Sequence, residues 1–185
     1  MSMKNYLILV LFIFGLMTSN AQDLTDKEYR LNVFELISGP ALGLSYEKFW
    51  NSQSSYGVYT FINLNEDSLR DENFEVAPYV RFYFKETEYL YGKSLFLELF
   101  TSFVSGEAYT IDDILFYDDD YSYPSNYDEN KFNRLALGAM VGKKWVNKSN
   151  VTFETGIGVG RYLSGSVGSG NTAYPRLHLS IGKQF

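Results

Sequence analysis

Residues 174–185, Tyr-Pro-Arg-Leu-His-Leu-Ser-Ile-Gly-Lys-Gln-Phe, alternate along their whole length. Pro175, Leu177, Leu179, Ile181, Lys183 and Phe185 form one set. Arg176, His178, Ser180, Gly182 and Gln184 form the other. Side chains of a β-strand point to opposite faces in turn, so this segment is a strand with one apolar and one polar or small face. It limits the chain to folds in which a long strand has different surroundings on its two sides.

The same period recurs upstream. It is clearest over 74–84, where Phe74, Val76, Pro78, Val80, Phe82 and Phe84 oppose Glu75, Ala77, Tyr79, Arg81 and Tyr83. Further strands are expected at 41–49, 55–64, 94–105, 133–144 and 151–162. A strand over 29–37 is also expected, but Asn32 and Glu35 fall on opposite faces and leave its inside unassigned. Pro78 has no N–H to give to a ladder, so a bulge or a local gap is expected there. Most of these segments run for about 9–12 residues, enough to cross an outer membrane at a tilt of about 40°.

The connectors support that geometry. Those at 50–54, 85–93 and 145–150 are short, while those at 65–73, 106–132 and 163–173 are longer, as when short turns share one rim and long loops the other. The short connector at 38–40 breaks the pattern. Phe49, Trp50, Phe84, Trp145 and Phe185 fall beside the short turns and read as an aromatic girdle at one membrane–water interface. The expected fold is an all-β, eight-stranded antiparallel up-and-down transmembrane β-barrel over 29–185.

The start of the chain points to export. Lys4 is followed by an uncharged apolar run over 6–17 and then by Thr18-Ser19-Asn20-Ala21, the order of a cleavable secretory signal peptide over 1–21. Residues 22–28 read as a flexible lead. The chain has no Cys, which excludes a cysteine-linked lipid anchor and a disulfide framework. Cleavage after Ala21 removes Lys4 and no acid, taking the formal charge from −6 to −7. Such an acidic exported chain is a poor partner for nucleic acid.

Eight strands enclose a bore that side chains can fill. Parity puts Glu47, Glu75, Arg81, Glu98, Lys144, Glu154 and Arg176 inside. Unpaired charges there would be costly, so a lumen network of ion pairs is expected, acting as a plug rather than an ion path. Gly138, Gly142, Gly156, Gly158 and Gly160 would make room for long side chains from the opposite wall, such as Tyr79, Arg81, Tyr83 and Phe100.

Taken together, the signal over 4–21, alternating strands such as 74–84 and the terminal segment 174–185 give the chain its resemblance. It resembles the small eight-stranded outer-membrane barrels of Gram-negative bacteria, the OmpA/OmpX-like proteins, and the uncharacterised "outer membrane protein β-barrel domain" family. The resemblance implies a monomer in the cell outer membrane with its termini in the periplasm, surrounded by lipid and lipopolysaccharide. It also implies that the terminal aromatic Phe185 is read by the barrel-assembly machinery. It identifies a class and no activity.

Three functional readings follow. The first is a structural or surface-interaction barrel without cofactor or metal. Its long acidic, Tyr-rich loop 106–132, with Tyr117, Asp118, Asp119, Asp120, Tyr121 and Tyr123, would be the interaction site; tyrosines give contact area at low entropy cost. Asp118-Asp119-Asp120 lacks the ligand spacing of a calcium loop, so it reads as solvated acid. The second is a lipid-modifying enzyme, lipid A deacylase-like, using His178 and Ser180; parity puts both in the lumen, away from lipid. The third is a secreted lipocalin-like carrier, which would turn Leu177, Leu179 and Ile181 inward.

Overall fold

The computed structural model describes residues 26–64, 72–84, 93–109, 129–163 and 173–185. The elements run β1 (Lys27–Asn32), α1 (Val33–Ser38), β2 (Ala41–Asn51), β3 (Ser54–Asn63), β4 (Glu72–Tyr83), β5 (Leu95–Tyr109), β6 (Glu129–Val146), β7 (Val151–Tyr162) and β8 (Ala173–Gln184). Each strand pairs antiparallel with the next, and β1 pairs with β8, closing the sheet into an eight-stranded up-and-down barrel. The segment expected as a signal peptide, and residues Tyr117 to Tyr123 of the acidic loop, lie outside the described residues.

The register fixes the barrel's shape. Paired residues step from Glu28 to Glu47, Gly57, Tyr79, Phe100, Gly138, Gly160 and Tyr174. In the β8–β1 register, the position opposite Tyr174 is 38, ten residues beyond the starting point at 28. A stagger of ten over eight strands, with about 3.3 Å per residue and about 4.8 Å between strands, tilts the strands by about 40°. A 12-residue strand then spans about 30 Å along the axis.

Inward and outward sets alternate as the sequence does. Outward-facing Leu99, Leu137, Val141, Ile157, Val159 and Leu177 are between 42% and 61% exposed. The inward charged residues are buried. Short turns on the first rim are shaped by asparagines. The Asn51 side chain accepts from Gln53 N at 2.8 Å, and that of Asn147 accepts from Ser149 N at 2.8 Å and Val151 N at 2.9 Å. Asn150 takes the left-handed conformation (φ 61°), which Asn tolerates better than most residues.

The first strand differs from expectation. It starts at Lys27, inside the expected lead, and ends at Asn32, where Val33–Ser38 coils into a helix. The reason is phase. Glu28, Arg30 and Asn32 point inward, so an uninterrupted strand would send Phe34 and Leu36 into the polar lumen and Glu35 outward. The helix resolves the conflict. Glu35 becomes buried and accepts from Tyr59 Oη at 3.3 Å, while Ile37 is 73% exposed. Asn32 caps the turn, its Oδ1 accepting from Phe34 N at 3.3 Å.

Three smaller differences follow from the same register. Around Pro78 the β4–β5 ladder lacks pairs at Ala77 and Pro78 and resumes with no register change, so a gap and not a bulge accommodates the missing N–H. β5 runs to Tyr109 and β6 starts at Glu129, which cuts into the expected loop 106–132 from both ends. The lumen glycines are covered by neighbouring strands and not by the opposite wall. Gly138 lies under its register partner Phe100, Gly142 under Phe96 and Gly160 under Tyr174. Gly57 sits likewise under Tyr79. An aromatic laid over a paired glycine fills the bore from the adjacent strand.

Candidate functional site

The lumen holds one connected charge network. At its centre the guanidinium of Arg81 donates from Nε to Glu98 at 2.6 Å. Its Nη1 and Nη2 donate to Glu154 at 2.7 and 2.8 Å, and Nη1 also reaches Glu47 at 3.2 Å. The two parallel bonds to Glu154 are the bidentate geometry a guanidinium makes best. Stacking on Phe96, 4.3 Å from the ring centroid, holds its plane.

Toward the short-turn rim, Lys144 Nζ donates to Glu47 at 2.9 Å, Glu28 at 3.0 Å and the hydroxyl of Tyr83 at 2.7 Å. Arg30 donates to Glu28 at 3.1 Å, to Glu47, and to Tyr79 Oη at 2.8 Å. Glu47 also accepts from Ser55 and from Tyr83 Oη at 2.5 Å. Glu28 accepts further from Thr152 Oγ1 at 2.8 Å and Gln184 Nε2 at 3.1 Å. Arg30, Arg81, Lys144, Glu28, Glu47 and Glu154 are each at most 1% exposed, so this level of the bore is closed.

Carboxylate oxygens of Glu28, Glu47 and Glu154 lie within 4.8 Å of one another, close enough to share a metal ion. The ammonium of Lys144 stands among them, 3.0, 2.9 and 3.6 Å from the three. A fixed cation supplies the positive charge there.

Toward the other rim the network loosens. Arg176 approaches Glu75 at 3.7 Å and Glu98 at 3.9 Å, and lies over the rings of Tyr59 and Phe100 at 4.5 and 4.3 Å. Glu75 accepts from Ser102 Oγ at 2.6 Å, and Ser102 is in turn reached by Tyr174 Oη at 3.1 Å. Farther out, Arg134 stacks between Phe132 and Tyr162, at 4.3 and 4.9 Å.

All seven residues assigned to the lumen from parity, Glu47, Glu75, Arg81, Glu98, Lys144, Glu154 and Arg176, are buried and joined in this network. Alternation alone does not assign Glu28 and Arg30, because Glu28 falls in the expected lead 22–28 and the inward face of the expected strand 29–37 is open. The signal was present: beginning at Lys27, Glu28, Arg30 and Asn32 alternate with Tyr29 and Leu31. Of the girdle residues, Trp50, Phe84, Trp145 and Phe185 sit at the short-turn rim, with Trp50 stacked on Tyr56 and Trp145 on Phe153. Phe49 does not join them. It shares the parity of Glu47, points inward, and packs against Tyr83 under the Lys144 ammonium.

His178 and Ser180 do meet. His178 Nε2 is 2.9 Å from Ser180 Oγ and 3.2 Å from Glu154 Oε1. Both contacts fall on the same ring nitrogen. A nucleophile–base–acid relay has one partner on each ring nitrogen, so these contacts do not form such a relay. Ser180 is also fully buried in the bore. Leu177, which a lipocalin-like carrier would need inside, is 42% exposed on the outer face. Compared with known proteins, the chain matches no family model, no curated protein and no solved structure.

Proposed function

We propose that the chain is an integral outer-membrane β-barrel with a structural or surface-interaction role, its bore sealed by the Arg81-centred network. The observation that carries this reading is the inside-out distribution of polarity. Buried ion pairs fill the interior while leucines, valines and isoleucines cover the outside. Soluble monomers rarely leave apolar patches larger than a few hundred Å² in water. Hydrocarbon around the barrel removes that cost, and a height of about 30 Å exceeds the apolar band of about 25 Å that such barrels need. Among the described residues no helix is long and apolar enough to cross a membrane.

A sealed bore leaves the rims as the surfaces where partners meet the protein. Among the described residues the β5–β6 ribbon reaches farthest on the long-loop side, and the acidic, Tyr-rich segment lies between Tyr109 and Glu129 in the sequence. This is where the interaction role is assigned.

The test is membrane fractionation combined with protease treatment of intact cells. The expected result is a chain that sediments with the outer membrane, needs detergent for extraction, and is cleaved between 110 and 128 from outside. Recovery of the exported chain in the aqueous fraction without detergent would refute the reading.

A further inference from the structure

β8 continues past the point where β1 leaves it. The last β1–β8 pair is Asn32 with Ser180, so 173–179 has β7 on one side and no strand on the other among the described residues. α1 lies across this gap, packed on β2 and β8. Parity shows how the free edge is tolerated. Leu179 N–H turns toward the gap and donates to Asn32 Oδ1 at 3.2 Å. Alternate residues face the same way, which puts Pro175, with no N–H to leave unpaired, on that edge.

Between α1 and this edge lies a cavity of about 300 Å³. Its lining comes from both sides of the wall: Pro175 and Leu177 from the outer face, Tyr59, Glu75 and Arg176 from the lumen. The cavity therefore joins the outside of the barrel to its inner mouth. Arg176 marks it as a site. The residue is 7% exposed and lines the cavity, and its carboxylate contacts are the long ones: Nη2 stands 3.7 Å from Glu75 and Nη1 3.9 Å from Glu98. The separation between Nη2 and Glu75 exceeds hydrogen-bond length, and a ligand oxygen beside them would bond to both groups.

We infer that this seam is a lateral binding site for a single-chain amphiphile with an uncharged, hydroxyl-bearing head, of the monoacylglycerol type. The tail would lie outside, along Pro175 and Leu177. The head would enter the wall, accept from Arg176 Nη2 and donate its hydroxyls to Glu75. Glu35 and Glu72 border the same space, so a carboxylate or phosphate head would be repelled. The volume admits a glycerol- or hexose-sized head. The inference rests on the outer-membrane reading, because the tail needs hydrocarbon around it.

The test uses the full exported chain in phosphatidylcholine nanodiscs, with a monoacylglycerol carrying a photoreactive diazirine in its tail. Folding is followed by heat-modifiable gel migration. Saturable labelling is expected on 33–38 and 173–179. Ser38→Trp, at an exposed residue lining the cavity, is expected to abolish it without loss of the folded band. Arg176→Met is expected to weaken it by about tenfold. Labelling spread over Leu99, Leu137 and Val159, or unaffected by Ser38→Trp, would overturn the inference. Equal competition by a fatty acid of the same chain length would overturn the choice of head. A chain that stays in water without detergent overturns the outer-membrane reading and this site together, whereas one that inserts and labels diffusely overturns this site alone.

Discussion

Removing the Arg81 guanidinium is the sharpest perturbation of the lumen. In Arg81→Met, the bonds to Glu98 at 2.6 Å, Glu154 at 2.7 and 2.8 Å and Glu47 at 3.2 Å are lost. Taken singly at about 1.5–3 kcal/mol each, charged hydrogen bonds would sum to more than most domains can lose. The carboxylates are not equally orphaned. Glu47 keeps Lys144 and Tyr83, and Glu154 keeps His178 at 3.2 Å with Arg30 and Lys144 at 3.6 Å. Among the described residues Glu98 keeps only Arg176, at 3.9 Å, as an ion-pair partner. The loss expected is therefore that of one buried pair broken from one side, about 3–5 kcal/mol. It should concentrate at Glu98, so adding Glu98→Gln should recover about 1–3 kcal/mol as a coupling energy. Urea unfolding of the barrel in lipid vesicles, followed by fluorescence of Trp50 and Trp145, measures both. A loss below about 1 kcal/mol, or strict additivity of the two substitutions, would refute the claim that the network is a single interlocked unit.

Two further outcomes are expected in the same unfolding assay. Gly138→Ala places a Cβ against the Phe100 ring edge and 2.6 Å from the carbonyl oxygen of Val159, and should cost about 1–3 kcal/mol. Gly156→Ala meets Met140 Sδ and Val141 O at 3.2 Å; the flexible Met140 side chain gives way, and the cost should stay below about 1 kcal/mol. Equal effects at the two positions would remove the aromatic-over-glycine account of the bore. Leu137→Arg, on the outer face of β6, should destabilise the inserted barrel by about 2–4 kcal/mol. An exposed position in water would shift by no more than about 0.5 kcal/mol, and that result would count against hydrocarbon around the barrel.

Legibility in the sequence followed the two-residue period. Where one side of a strand is charged and the other aliphatic, as in Glu75 to Tyr83 or Val151 to Tyr162, the inside could be read directly and the charge network followed from it. The reading failed where the period changed. Val33 to Ser38 contains enough apolar residues to pass for strand, and only the phase of Glu35 against Glu28 and Arg30 shows that it must turn. Phe49 stands near a turn like the girdle aromatics, but it shares the parity of Glu47 and lies inside. Register was not legible at all. That Gly138 lies under Phe100, and not under a residue of the far wall, depends on the stagger between strands, and alternation along one strand carries no information about that offset.

The early exit of β1 divides the barrel into two unlike halves. Below Asn32 the wall is complete, and the contacts inside it are short: Arg81 to Glu98 and Glu154, Lys144 to Glu47 and Glu28. Above Asn32 a six-residue helix stands in for a strand, the Arg176 contacts lengthen to 3.7 and 3.9 Å, and a cavity opens beside β8. The link is mechanical. A strand on both sides fixes the backbone from which lumen side chains reach, whereas among the described residues β8 above Leu179 has a strand on one side only. Elements with fewer fixed hydrogen bonds open at lower free energy. Stability therefore resides in the short-turn half, and the freedom to admit a ligand resides in the half that carries the long connectors.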